Sequence, residues 1–216
     1  MSAQRVRRRP EEAKSAILEA AEKLLILGGP RAVQMRSVAQ QLGITDTGVA
    51  HHFGTRDELL QALLRHGGRR IRAAITEATE HWLEQPPTVR RLIDGIYSVY
   101  ARGYGELAIA LHAAGWRDNG SGMLEPVVDV LQNLRTPRGG RRPPRSQTQL
   151  AVAALHQALA TETAYGAAFR RSVGMTEPDA SDSGCQMTWW ALTIATVLGI
   201  DDSASRSPST RAAKNR

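Results

Sequence analysis

Between Thr45 and Phe53 the chain reads TDTGVAHHF, and the side chains off its apolar positions are small or able to form hydrogen bonds. Asp46, Thr47, Gly48, Ala50 and His51 would share the open side of a short helix. Such a surface enters a major groove about 12 Å wide without clashing and offers donors and acceptors to base edges. Thr45 can cap that helix, and the N–H groups of a first helical turn can meet a phosphate. Other chemistry is poorly represented. His51 and His52 are adjacent, so on a helix they point about 100° apart and do not converge on one metal ion. Gly103-Tyr104-Gly105 lacks the third glycine and the preceding strand of a dinucleotide-binding loop. Cys185 is the sole cysteine, which rules out an internal disulfide and a cysteine cluster for zinc; it reads as a packing residue. With no metal-ligand motif, phosphate loop or marked nucleophile, the expectation is a chain without metal, cofactor or catalytic set.

The elements that must hold this surface follow from periodicity and punctuation. Pro10 suits a first helical turn, with Glu11 and Glu12 at the positive helix end. Ile17, Ala20, Ala21 and Leu24 continue that helix, and Gly28-Gly29-Pro30 stops it. Met35, Val38, Ala39 and Leu42 make a second, shorter helix ending at Gly43; the third runs from Thr45 to about Phe53 and breaks at Gly54. A helix–glycine–helix unit of this size is the helix-turn-helix arrangement, with Ile44 and Val49 packing back on Val38, Ala39 and Leu42. Thr55-Arg56-Asp57-Glu58 is a capping box opening a fourth helix, whose apolar row runs through Leu60, Leu63, Leu64, Ile71 and Ile75 to Trp82. Gly67-Gly68 within it reads as a bending point.

Beyond Pro86-Pro87 more helical periods follow, around Leu92–Gly103, Leu124–Leu131, Ala151–Phe169 and Met187–Leu198. Gly115–Gly122 and the Pro-, Gly- and Arg-rich stretch 136–146 read as loops, the latter a solvated connection. No alternating strand pattern or internal repeat stands out. The expected class is all-α with about nine helices: a flexible basic arm over 1–10, the helix-turn-helix domain over 11–56, a helical body over 57–200 and a disordered tail over 201–216.

The 216 residues carry a formal charge of +7 and are 42% hydrophobic, enough for a sizeable core and favourable to an anionic partner. Only Lys14, Lys23 and Lys214 are lysines, so arginine supplies nearly all the positive charge. Met187–Ile200, the most apolar stretch, is interrupted by threonines and falls short of the roughly 20 apolar residues of a membrane span. The basic start lacks an apolar signal region, and the expected location is the cytoplasm.

The run LGITDTGVAHHFGTRDELLQALL resembles the TetR family signature, and the resemblance covers residues 11–64. It implies a transcriptional regulator, usually a repressor, whose homodimer grips a near-palindromic double-stranded DNA operator and is released by a small-molecule effector. Residue by residue, Thr45, Thr47 and His51 match recognition-helix positions that meet DNA; Arg36 matches a contact at the start of the preceding helix. His52 matches a position near the backbone, and Arg56 a basic position that reaches a phosphate. Ala50 stands where the family usually has a phosphate-touching Tyr, at a cost of about 1 kcal/mol for one hydrogen bond. Gln34 stands where it often has a Ser or Thr cap. Asp46 repels phosphate but can accept from a cytosine amino group, so it is expected to discriminate rather than add affinity.

The family holds its ligand among the middle helices. Tyr97, Tyr100, Tyr104, His112, Trp116, Met123 and Trp189 could supply an apolar wall with polar handles, or could fill an ordinary core. The family pairs its last two helices with their copies, which implies a dimer interface of Leu155, Leu159, Trp190, Ile194 and Val197. Two other readings stay open. A small helical enzyme would be indifferent to loss of Thr47, and a membrane-surface or partner-binding protein would depend wholly on the arm at Arg5–Arg9.

Overall fold

A computed structural model describes residues 10–84, 86–135 and 143–201. The arginines of the basic arm, most of the Arg-rich stretch and the tail beyond Asp201 lie outside them. The described residues form ten α-helical segments, one 3-10 turn and no strand. Two pairs of segments adjoin through short irregular turns, the first of them kinked at Gly103 (φ 97°) and the second a π-turn. The chain divides into two compact units. One holds the residues up to Arg72 with Glu106–Asn119; the other holds Ala73–Gly105 and the residues from Gly120 on.

In the first unit, α1 (Pro10–Ala32) buries Ile17, Ala20, Ala21 and Leu25. It kinks at Gly29, whose φ of 67° is open to glycine, so the Gly-Gly-Pro stop works as expected. Next come α2 (Met35–Leu42) and α3 (Asp46–Phe53), joined through a left-handed Gly43 at φ 64°. Val38, Ala39 and Val49 fill the angle between them, whereas Ile44, expected to pack there, is 37% exposed. The long α4 (Arg56–Leu83) passes without interruption through Gly67-Gly68. These glycines are sites of close approach rather than a visible bend. A Cβ on Gly67 would lie 2.8 Å from Leu111, and one on Gly68 would lie 2.5 Å from the Trp116 indole nitrogen. An ion pair from Arg70 to Glu22 ties α4 to α1.

In the second unit, Thr88 caps α5 (Val89–Val99), which buries Val89, Leu92, Ile93, Ile96 and Val99. A kinked turn, Tyr100–Tyr104, in which Gly103 takes φ 97°, leads into α6 (Gly105–Ala113), whose later residues belong to the first unit. Then come α7 (Glu125–Leu134), α8 (Arg145–Thr161), a π-turn at Glu162–Gly166, α9 (Ala167–Ser172) and α10 (Ser183–Leu198). The helix expected to run straight from Ala151 to Phe169 therefore carries a π-turn. Arg135, buried at the end of α7, joins three helices. Its guanidinium donates to the Leu198 carbonyl at 3.0 Å, to Thr148 Oγ1 at 2.9 Å and to the Pro144 carbonyl at 3.2 Å.

Gly68→Leu should lower the thermal unfolding midpoint. A leucine would gain about 1 kcal/mol in helix propensity but lose about 1–3 kcal/mol to overpacking against Trp116, a balance that circular-dichroism melts would read.

Candidate nucleic-acid interface

The α2–turn–α3 surface is built by backbone constraints at both ends. Gln34 enters α2 in extended conformation without a side-chain cap, and its amide instead donates to the Arg31 carbonyl at 2.9 Å. The turn closes where Ile44 N–H donates to the Ala39 carbonyl at 3.0 Å. Thr45 caps α3, its Oγ1 accepting from Gly48 N–H at 3.1 Å. Asp46 turns back on the same helix end, and its Oδ1 accepts from Thr47 N–H at 2.9 Å. The first-turn N–H groups expected to meet a phosphate are thus partly taken by Thr45 and Asp46 themselves, because a short polar side chain beside a helix start is the nearest acceptor. Arg36, Thr45, Asp46, Thr47 and His51 are exposed; Gly48, Ala50 and His52 are half-buried. The His51 and His52 rings meet edge to face with centroids 5.4 Å apart. This is a protruding helix with short side chains, able to approach a base edge closely.

Its exit is locked by a glycine and a carboxylate. Gly54 has φ 73°, and a Cβ there would lie 2.4 Å from Glu58 Oε2. That oxygen accepts from the Thr55 N–H and hydroxyl, both at 2.8 Å, while Glu58 N–H donates to Thr55 Oγ1 at 3.2 Å. This is the capping box read from the sequence. The Thr55 backbone N–H foremost, then its hydroxyl, holds the Glu58 carboxyl below its ordinary pKa of 4.5.

Arg56 occupies a place the sequence did not disclose. Its Nε donates to the Val33 carbonyl at 2.9 Å, one terminal nitrogen to the Pro30 carbonyl at 2.6 Å and the other to Asp57 at 3.1 Å. The guanidinium expected on a phosphate spans the start of α4, the last turn of α1 and the loop that follows it. Cys185, expected in packing, is exposed. It lies 3.1 Å from Asp182 Oδ2, and the hydrogen bond to that carboxylate pushes its thiol pKa up.

The residues expected to line a ligand pocket are dispersed. Tyr100 is buried with its hydroxyl 3.0 Å from a ring nitrogen of His156, and burial raises the phenol pKa. His112 and Trp116 pack edge to face in the first unit, with His112 Nδ1 2.8 Å from the Ala108 carbonyl. Tyr104 and Met123 are half-buried. Trp189 is 54% exposed on α10 beside Trp190. Tyr97 lines a cleft of the second unit.

The expected dimer residues divide by burial. Leu155, Leu159 and Ile194 are at most 3% exposed, because the apolar phase they share faces the protomer's own core. Trp190 is half-buried and Val197 exposed. The apolar side chains left open on α8 to α10 are Leu150, Tyr165, Phe169, Trp189, Leu192 and Val197. No helix among the described residues is long and apolar enough to cross a membrane.

Comparison with known proteins gives concordant matches. The family described as bacterial regulatory proteins, tetR family, matches residues 17–63. The HTH-type transcriptional repressor Rv3405c of Mycobacterium tuberculosis (strain H37Rv) is 28% identical over 137 residues, covering 50% of this chain and 73% of its own. The HTH-type transcriptional regulator Mb3439c of Mycobacterium bovis has the same identity and coverage. A crystal structure of a TetR-family regulator from Streptomyces coelicolor A3 aligns over 89% of this chain and 98% of its own, with 22% identity and a TM-score of 0.42.

Replacing the Glu58 carboxyl by an amide should expose the pH dependence of the lock. Because the folded pKa lies below the unfolded value, the charged form stabilises the protein fully above about pH 4.5, and that contribution is lost as the pH falls through the folded pKa. Urea unfolding should show Glu58→Gln weaker than wild type at pH 7 and the gap narrowing at pH 3.5.

Proposed function

This chain belongs to the TetR family of DNA-binding transcriptional regulators, and from that premise we propose that it is a homodimeric repressor of a near-palindromic operator, released by a small molecule. The observation that carries the reading is the exposed, short-side-chained α3, fixed at its entry by the Thr45 cap and at its exit by the Gly54–Glu58 lock. One of its relatives is itself named a transcriptional repressor. Residues 11–56 read the DNA, and residues 57–200 sense the effector and dimerise. Two copies present their recognition helices to successive major grooves, about 34 Å apart along the duplex. Thr47 and His51 meet base edges, with Thr45 and Gly48 allowing the approach. Arg36 and His52 lie toward the phosphates, with the arm at 1–10 adding sequence-independent grip.

Asp46 discriminates among bases with the carboxylate oxygen not bonded to Thr47. Arg56 acts as a positioning residue through Pro30 and Val33. The protein works in the cytoplasm, without cofactor and not as an enzyme. Effector binding in the body shifts the homodimer toward a spacing of its recognition helices that no longer fits the operator, with the unbroken α4 carrying the change.

The dimer closes over the open apolar side chains of α8 to α10, not over Leu155, Leu159 and Ile194. Leu192→Asp should convert the dimer to a monomer in sedimentation velocity and cost most of the operator affinity, since each half-site is then held alone.

The deciding experiment retains sheared genomic DNA of the source organism on the purified protein, near physiological salt with excess competitor. Enrichment of a few fragments sharing a near-palindrome is the expected result; uniform, salt-sensitive retention would sink the reading. On an enriched fragment, Thr47→Ala should lose about 1–3 kcal/mol, roughly tenfold or more in affinity, in fluorescence-anisotropy titrations. An enzyme would be indifferent to that change.

A further inference from the structure

Glu22 of α1 is held by Arg70 of α4 through one carboxylate oxygen, Oε1. His66 stands one turn before Arg70, on the same face of α4. The Glu22 side chain is 12% exposed, and its other oxygen, Oε2, is buried without a hydrogen-bond partner. His66 Nε2 is buried without one too. Unpaired buried polar atoms are rare in a folded protein; here a carboxylate oxygen and an imidazole nitrogen are both left so where α1 meets α4.

α4 is firmly backed at this point. Gly68 lies about 200° round the helix from His66. A Cβ on Gly68 would lie 2.5 Å from the Trp116 indole nitrogen, and one on Gly67 would lie 2.8 Å from Leu111. The backbone that carries His66 has no room to retreat from α1. A charge placed on the ring is therefore relieved by movement of α1 rather than of α4.

Charged groups act on the ring from both helices. Burial is the foremost influence and disfavours the imidazolium. Glu22 and, more weakly, Glu19 of α1 favour it, whereas Arg70 and Arg69 of α4 oppose it. On α6, His112 is turned to the Ala108 carbonyl and the Trp116 ring, and beyond it Arg117 donates to the His112 and Trp116 carbonyls. Burial and the two arginines together hold the His66 pKa below its ordinary 6.5. A proton on Nε2 thus becomes a charge out of reach of solvent, facing a carboxylate already engaged by Arg70.

We propose that His66 is a proton-operated release between α1 and α4: a proton on its buried ring loosens α1, and with it the support of the α2–turn–α3 surface. α1 packs on α2 and presents the Pro30 carbonyl to Arg56, so what slackens α1 reaches that surface directly. The neutral ring stabilises the contact fully above about pH 6.5, and that contribution is lost as the pH falls through the lower, folded pKa. The release stands on Glu22, His66 and Arg70; its reach to DNA rests on the operator reading given above.

The test uses the full-length protein. In proton–carbon NMR the His66 ring, assigned with His66→Gln, should titrate below 6.5, and lower still in Glu22→Gln. Amide-exchange protection of α1, corrected for the intrinsic effect of pH, should fall severalfold between pH 7.5 and 5.5 in the wild type and hold in His66→Gln. Titration of His66 at or above 6.5, protection of wild-type α1 that is equal at both pH values, or an equal loss in His66→Gln overturns the proposal. On a genomic fragment that the protein retains, the wild type should lose affinity relative to His66→Gln over the same range. Loosening of α1 without that loss upholds the release and overturns its reach to DNA.

Discussion

The α2–turn–α3 surface depends on where one guanidinium spends its hydrogen bonds. Arg56 opens α4, yet its nitrogens reach the carbonyls of Pro30 and Val33, 26 and 23 residues earlier in the chain. The Pro30 carbonyl lies in the last turn of α1, past the Gly29 kink, and the Val33 carbonyl in the loop before α2, where the carbonyls of a helix end lack intrahelical partners. One planar side chain thereby joins the entry of the helix-turn-helix to its exit. An arginine suits this task because its donors are fixed in a planar fork. The Thr45 cap and the Gly54–Glu58 lock then set the ends of α3, and the exposed helix is held in place by groups outside its own apolar face.

Much of this module is legible in the sequence, for identifiable reasons. The stops at Gly29, Gly43 and Gly54 are legible because each takes a positive φ that glycine adopts without strain. The Thr45 cap and the Thr55–Glu58 box are legible because their partners lie within three residues. Arg56 is not, since a cation in a first helical turn reads as solvent-facing and nothing in the chain marks a distant carbonyl as its acceptor. The same limit hides Arg135, whose partners come from three separate segments.

The body shows where periodicity runs out. On α8 and α10 apolar residues cover more than one face, and spacing alone does not say which face turns inward. Leu155, Leu159 and Ile194 stand on the face used by the protomer's own core, while Leu150, Trp189 and Leu192 stand on the one left open. Gly67-Gly68 carries a similar ambiguity: a glycine pair permits a bend or a close approach, and only Leu111 and Trp116 opposite it decide for the second. The buried Glu162–Arg170 pair is illegible for a further reason. Glu162 and Arg170 are eight residues apart, and it takes an irregular turn to bring such a pair together inside a helical rod.

The open apolar face has an optical consequence. Trp189 and Trp190 stand side by side on it, centroids 5.0 Å apart, and Trp189 is more than half exposed, while Trp82 is buried and Trp116 half-buried. The emission of an indole shifts to the blue when water leaves it. Half of the chain's tryptophans therefore form a paired chromophore on that open face, and the pairing proposed for it would carry a built-in optical gauge, readable without a label.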